Sequence, residues 1–247
     1  MVAEGQNLLL SWVRRLAFSH SVRCGVQEKG NAALTTHVIW DWNGTILNDV
    51  QFAVDVMQPV LKEQGLPPLD VARYRALFGF PVRDYYRALG FSDEDEDFIR
   101  VANAFISGFE AGIRNCGLRS GVLDTLRELA DRGLSQSILS AARQVSLRDQ
   151  VQHHGIEPFF EEVLGLDNHY AAGKTEIGRR WAESTQHPLS EVVFVGDTAH
   201  DFEVSQAMGV GCILVAGGHQ DRARLEACGC PMIDSITELP AALLTGN

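Results

Sequence analysis

The chain has 247 residues, of which 45% are hydrophobic, and it carries a formal net charge of −11 with a pI near 5.1. This length suits one large α/β domain, or a core domain that carries an insertion. The acidic balance argues against nucleic acid and anionic membranes as main partners, because both bind basic surfaces. No apolar run reaches the length of a membrane span. The odd number of cysteines, without metal-binding spacing, indicates reduced thiols and a cytoplasmic protein.

Residues 1–34 are predicted to be an appendage made of a short amphipathic helix and a loop. After it, short β-rich runs alternate with helical patterns, and one helix pattern opens on Thr198 and closes on Gly209. The β-rich runs are "HVIWDW", "SQSILS", "EEVLGL", "EVVFVGD" and "GCILVAGG". This alternation predicts a three-layer, Rossmann-like α/β fold in which a parallel sheet carries helices on both faces.

One segment interrupts the alternation, since only helical patterns occur between about Val50 and Cys116. An all-helical segment inserted after the first strand predicts a cap domain, residues 50–116, over the carboxyl ends of the strands. Residues 35–49 and 117–247 then form the α/β core. The acidic run 93–97 is expected in the first turn of a helix, where negative charge complements the helix dipole, rather than around a metal.

Polar residues stand where the predicted strands end, which is the edge at which open α/β sheets bind ligands. The first run ends at Asp41, the second at Ser140, and the fourth at Asp197 with Asp201 four residues later. Lys174 lies at the start of a helical pattern. Carboxylates are hard oxygen ligands for Mg²⁺, while a lysine and a hydroxyl can balance phosphoryl oxygens. The set therefore indicates phosphoryl transfer in which Asp41 attacks phosphorus, with Gly44 permitting a turn that directs backbone amides at the phosphate.

These residues also occur in the order of four known motifs, and the chain from about residue 36 onward resembles the haloacid dehalogenase superfamily. The narrower likeness is to its phosphoglycolate-phosphatase-like branch with a helical cap. The motif Asp-x-Asp-Gly-Thr is matched by "DWNGT" at 41–45, and the strand ending in Ser or Thr by "SILSA". The lysine motif is matched by Lys174 and the last, acidic motif by "GDTAHD".

The resemblance implies a Mg²⁺-dependent phosphatase, a hydrolase of phosphoric monoesters that acts on a small phosphorylated metabolite through an aspartyl-phosphate. It implies that Asp41 is both nucleophile and metal ligand, and that Lys174 takes part in catalysis. The implied metal ligands also include the backbone carbonyl of Asn43, Asp197 and Asp201. The implied substrate-binding residues are Ser140, Ala141 and Lys174.

The chain departs from the family pattern at Asn43, where the family has the carboxylate that protonates the leaving oxygen and then activates water. An amide does neither, because it does not titrate in the useful range. The sequence thus predicts weakened turnover, with aryl and acyl phosphates affected least. It also predicts that Asn43→Asp raises the rate of hydrolysis of alkyl phosphates. His200 or a cap residue is an alternative acid.

Other functions remain open at this point. A catalytically feeble phosphate-binding or regulatory protein would retain the same site, and Asn43 favours it. A phosphoacceptor signalling domain is disfavoured by the helical insertion. A dehalogenase would not need the acidic last motif, and a carbon–phosphorus hydrolase is disfavoured because Lys62 is the only lysine in the insertion. Arg83, in "FGFPVRDYY", is a candidate for binding a substrate carboxylate or second phosphate.

Overall fold

The computed structural model describes residues 34–166 and 173–244. The predicted helix and loop of the N-terminal appendage lie outside these residues, apart from position 34. Within the described residues, no helix is both long and apolar enough to cross a lipid bilayer.

Six parallel strands form one sheet in the order β3-β2-β1-β4-β5-β6. They are β1 His37–Trp40, β2 Ser135–Arg143, β3 Glu162–Leu166, β4 Val192–Gly196, β5 Gly211–Val215 and β6 Met232–Ile233. The five β-rich runs of the sequence are confirmed as strands. The short edge strand β6 was missed, because its two residues carry no period-2 pattern.

Helices cover both faces of the sheet, so the three-layer prediction is confirmed. Alternation along β1 explains the layering: Val38 and Trp40 join the core that contains Leu126 and Leu147, whereas Ile39 packs in the opposite core. The covering helices are α5 Val122–Asp131, α6 Gln144–His153, α7 Lys174–Ser184, α8 Ala199–Met208, α9 Arg222–Glu226 and α10 Leu239–Ala242.

The segment between β1 and α5 is helical, as its sequence predicts. It contains α1 Val50–Glu63, α2 Val71–Leu77, α3 Val82–Leu89 and α4 Asp95–Gly112, followed by a 3₁₀ turn at Ile113–Asn115. A separate apolar cluster holds these helices together, with Met57, Tyr74 and Leu89 among its buried members. The acidic run lies at the start of α4, with Asp95 and Asp97 in its first turn, as expected. We refer to residues 50–115 as the helical insertion.

The topology fixes where a site can form. The chain leaves β1 for β2 and β3 on one side, then returns to place β4 on the other side of β1. Loops that follow neighbouring strands β1 and β4 therefore diverge at a switch point, where a crevice opens at the carboxyl edge.

Candidate active site

Asp41, Asp197 and Asp201 meet at this switch point. Asp41 follows β1 and its backbone N–H donates to the carbonyl of Val195 in β4 (2.8 Å), which ties the two strand ends together. All three carboxylates are buried, and each offers an oxygen within 4.8 Å of those of the other two. Three buried carboxylates this close repel one another unless cations are present.

Lys174, the first residue of α7, supplies one of those cations. Its ammonium contacts Asp41 Oδ1 and lies 2.5 Å from Asp201 Oδ1, with only 3% of the side chain exposed. Burial lowers the pKa of Lys174, but the charges of Asp201 and Asp41 outweigh burial and raise it above its usual value. The amine is therefore a fixed positive charge at the nucleophile predicted from the sequence.

The pKa values of the three carboxylates are shifted in different directions by their surroundings. Burial raises the pKa of Asp41 well above its usual range, with Lys174 acting in the opposite direction, and burial also raises the pKa of Asp197. For Asp201, burial is outweighed by the Lys174 charge and by hydrogen bonds from Lys174 and Thr198, so its pKa is lowered. Asp201 is thus the carboxylate most strongly held as an anion.

Backbone geometry orients the acidic loop. Thr198 caps α8 and forms a reciprocal capping box with Asp201, whose Oδ2 accepts from the backbone N–H groups of Asp197 (3.1 Å) and Thr198 (2.9 Å). This arrangement leaves Oδ1 of Asp201 for the lysine. Asp197 is held in turn by the Thr45 hydroxyl, which donates to its Oδ1 at 2.7 Å.

The turn at Gly44 brings the first motif against this cluster. Gly44 has φ +73°, and a methyl group there would overlap the Asp197 carboxylate, so the close approach requires glycine. The carbonyl of Gly44 accepts from Arg119 Nη1 at 2.6 Å. Arg119 also donates to the carbonyl of Ala216 beyond β5 (2.6 Å), which joins two loops of the carboxyl edge.

His219 is a site neighbour that the sequence analysis missed. It lies in the loop after β5, its backbone N–H donates to Asp197 Oδ2 (2.6 Å), and its ring is nearly buried. Burial lowers its pKa, but the charge of Asp49, 3.3 Å from Nε2, helps to raise it to about 9. The sequence signal for His219 is its position as a polar residue shortly after the fifth strand, at the ligand-binding edge of the sheet.

The loop that holds His219 also contacts the helical insertion. Tyr74 hydroxyl and His219 Nδ1 are 2.8 Å apart, while Arg75 donates to the carbonyls of Gly218 (2.8 Å) and Gly217 (2.6 Å). The carbonyl of Phe78 accepts from Gln220 Nε2 at 3.1 Å. The insertion is thus attached directly beside Asp197.

The other residues predicted from the sequence are placed differently. Ser140 is buried within β2, which continues to Arg143 instead of ending at Ser140, and its Oγ accepts from the N–H of Ala142 (3.1 Å), whereas Ala141 is exposed. Arg83 is not brought to the carboxylates: its guanidinium binds Asp95 (2.7 Å) and lies over the Phe98 ring, all within the insertion. His200 packs against Phe80, with ring centroids 4.7 Å apart and the ring planes tilted by 38°.

The donor set fits a divalent cation. Asp41, Asp197 and Asp201 present oxygen atoms only, they are buried, and Lys174 alone does not balance their charge. Mg²⁺ prefers such ligands together with water. These three carboxylates are the groups that would hold it, and the backbone carbonyl of Asn43 stays a prediction from the sequence.

Comparison with known proteins agrees with this arrangement. The family model of haloacid dehalogenase-like hydrolases matches residues 38–215. The chain belongs to this family. The predicted family resemblance is therefore confirmed.

Individual relatives are distant. The tyrosine-protein kinase PtkA of Mycobacterium tuberculosis is 26% identical over 183 residues, which cover 74% of this chain and 62% of that protein. This chain thus spans less than two thirds of the length of PtkA. A phosphoglycolate phosphatase of Synechococcus elongatus is 25% identical over 207 residues, covering 84% of this chain and 94% of that one. A haloacid dehalogenase-like hydrolase structure from Streptococcus pneumoniae superposes with a TM-score of 0.73 at 20% identity, covering 84% and 98%, and shows the shared fold.

Proposed function

We propose that this protein is a Mg²⁺-dependent phosphatase that hydrolyses a small, phosphoglycolate-like phosphate monoester through an aspartyl-phosphate on Asp41. The observation that carries the proposal is the contact of Lys174 with Asp41 inside a buried cluster of carboxylates at the sheet's carboxyl edge. The similarity to phosphoglycolate phosphatases supports the substrate class.

In the first step a carboxylate oxygen of Asp41 bonds to phosphorus while the bond from phosphorus to the leaving oxygen breaks. Lys174 holds Asp41 and stabilises the negative charge of the phosphoryl oxygens, together with the Ser140 hydroxyl. A bound Mg²⁺ would supply further positive charge at the same oxygens. In the second step water attacks phosphorus, releases inorganic phosphate and restores the Asp41 carboxylate.

Asn43 sets the limits of this chemistry. Its amide cannot give a proton to the leaving oxygen or take one from water, so solvent or another residue, such as His200, must serve both purposes. A missing general acid or base typically costs about 10²–10⁴-fold in rate. Substrates with good leaving groups are therefore expected to react fastest, and hydrolysis of the aspartyl-phosphate is expected to be slow.

The second candidate is a phosphate-binding or regulatory protein that turns over little substrate, and Asn43 is the residue that favours it. A panel of phosphorylated metabolites and aryl phosphates, assayed with Mg²⁺ and with excess EDTA, separates the two. Metal-dependent release of phosphate supports the phosphatase. Binding of phosphate without release from any substrate supports the second candidate.

A further inference from the structure

Asp49 has contacts that its position in the chain does not require. It is the N-cap residue of α1, where an aspartate usually accepts from the first backbone N–H groups of its own helix. The Asp49 side chain makes no such bond. It is fully buried and turned back to the first motif, where Oδ2 accepts from Asn43 Nδ2 (2.8 Å) and Oδ1 from the Gly44 N–H (2.7 Å).

These bonds fix which end of the Asn43 amide faces which way. Because Asn43 Nδ2 donates to Asp49, the NH₂ group of Asn43 faces Asp49 and the amide oxygen faces away from it. Within residues 34–166 and 173–244, no group donates to that oxygen. The Asn43 oxygen is therefore the part of this side chain left to meet a ligand, and the side chain itself is half-buried.

We propose that Asp49 is a positioning residue that presents the amide oxygen of Asn43 to the phosphoryl site, and that the two residues act as one acid–amide pair. The proposal rests on the proposed phosphatase function. In this pair the negative charge stands on Asp49 instead of position 43. The amide oxygen can accept a hydrogen bond from the attacking water and orient it, without removing its proton.

The pair changes what is expected of Asn43→Asp. In that variant two carboxylates face each other across the present 2.8 Å contact, inside a region that already holds Asp41, Asp197 and Asp201. Like charges at this distance repel strongly where water is excluded. The single substitution therefore does not restore the family's arrangement, contrary to the expectation from the sequence alone.

The exchange of the two residues avoids this conflict. In Asn43→Asp/Asp49→Asn the pair keeps one carboxylate and one amide, so the hydrogen bond survives with donor and acceptor exchanged. The amide oxygen at position 49 can still accept from the Gly44 N–H. His219 loses its ion pair with Asp49 but keeps the Asp197 carboxylate at its backbone N–H. Only the exchange places an anionic, correctly held carboxylate at position 43.

The test compares wild type, each single variant and the double variant with Mg²⁺, on an alkyl phosphate and on an aryl phosphate. We expect the double variant to exceed Asn43→Asp at least 10-fold in kcat on the alkyl phosphate, with a smaller ratio on the aryl phosphate. Asp49→Asn alone should lower kcat more than it changes KM, since it misorients a group rather than removing a binding contact. An Asn43→Asp variant that equals or exceeds the double variant overturns the proposal.

Melting temperatures separate this proposal from the proposed function. Asn43→Asp should lower the melting temperature, and the added Asp49→Asn should recover most of the loss. If no variant releases phosphate but this recovery occurs, the phosphatase assignment fails while the pairing stands. If wild type turns over substrate but neither kcat nor melting temperature is recovered in the double variant, the pairing fails and the phosphatase assignment stands.

Discussion

Replacing Lys174 by methionine tests the charge balance of the site most strongly. The substitution keeps the length and apolar stem of the side chain but removes the cation shared by Asp41 and Asp201. Removing one partner of a buried ion pair typically costs about 3–5 kcal/mol, because the remaining charge stays buried and unpaired. Both carboxylates here are at most 10% exposed, so we expect a loss of unfolding free energy within that range.

Magnesium should reduce this loss. A ligand present at 100 times its Kd stabilises the folded state by about 2.7 kcal/mol. Because the variant has one more uncompensated negative charge, it should bind Mg²⁺ more tightly and gain more from it than the wild type does.

Urea unfolding followed by circular dichroism, with and without Mg²⁺ at pH 7.5, measures both effects. Lys62→Met is the matched control, since Lys62 is exposed on α1 and should change stability little. The reasoning is refuted if Lys174→Met unfolds within about 1 kcal/mol of the wild type and Mg²⁺ stabilises both proteins equally.

Three further substitutions test other parts of the structure. Arg75→Ala removes the donors to the carbonyls of Gly217 and Gly218. If the insertion closes over the site, this change should raise KM for an aryl phosphate about 10-fold, which corresponds to roughly one charged hydrogen bond. An unchanged KM would count against closure. Arg83→Ala should lower the melting temperature and leave KM unchanged for anionic and plain substrates, because the Arg83 guanidinium is held by Asp95. A selective rise in KM for the anionic substrate would support the substrate role predicted from the sequence. Burial, and to a smaller extent the neighbouring His187, lower the pKa of His37 from 6.5 to about 3. The unfolded chain therefore binds a proton at His37 that the folded chain excludes, so the free energy of unfolding falls as the pH drops below 6.5. Between pH 7.5 and pH 5 the wild type should lose about 2 kcal/mol of unfolding free energy through His37. In urea unfolding, the loss over the same pH range should be smaller by that amount in His37→Asn. Equal losses in the two proteins would contradict the lowered pKa of His37.

The sheet and the carboxylate cluster could be predicted from the sequence because each depends on local signals. Strand and helix periods are local, and the ends of parallel strands converge whatever the details of packing. Asp41, Asp197 and Asp201 could therefore be grouped without knowing any side-chain geometry.

The contacts of Asp49, Arg119 and Arg83 could not be predicted in the same way. An aspartate before a helix usually caps that helix, and nothing in the sequence tells that Asp49 turns back to Asn43 instead. Arg83 looked like an available cation, but its acidic neighbours in the fold bind it. Each of these outcomes depends on tertiary contacts that sequence periodicity does not encode.

The most direct test of the central claim is to look for the phosphorylated enzyme itself. The protein is mixed with an aryl phosphate and Mg²⁺, quenched in acid, and digested for mass spectrometry. We predict one phosphoryl group on the peptide containing Asp41, accumulating because Asn43 cannot activate water, and absent from Asp41→Asn and from samples with excess EDTA. Turnover that persists in Asp41→Asn or in EDTA, or a phosphoryl group on another residue, would contradict the proposed mechanism.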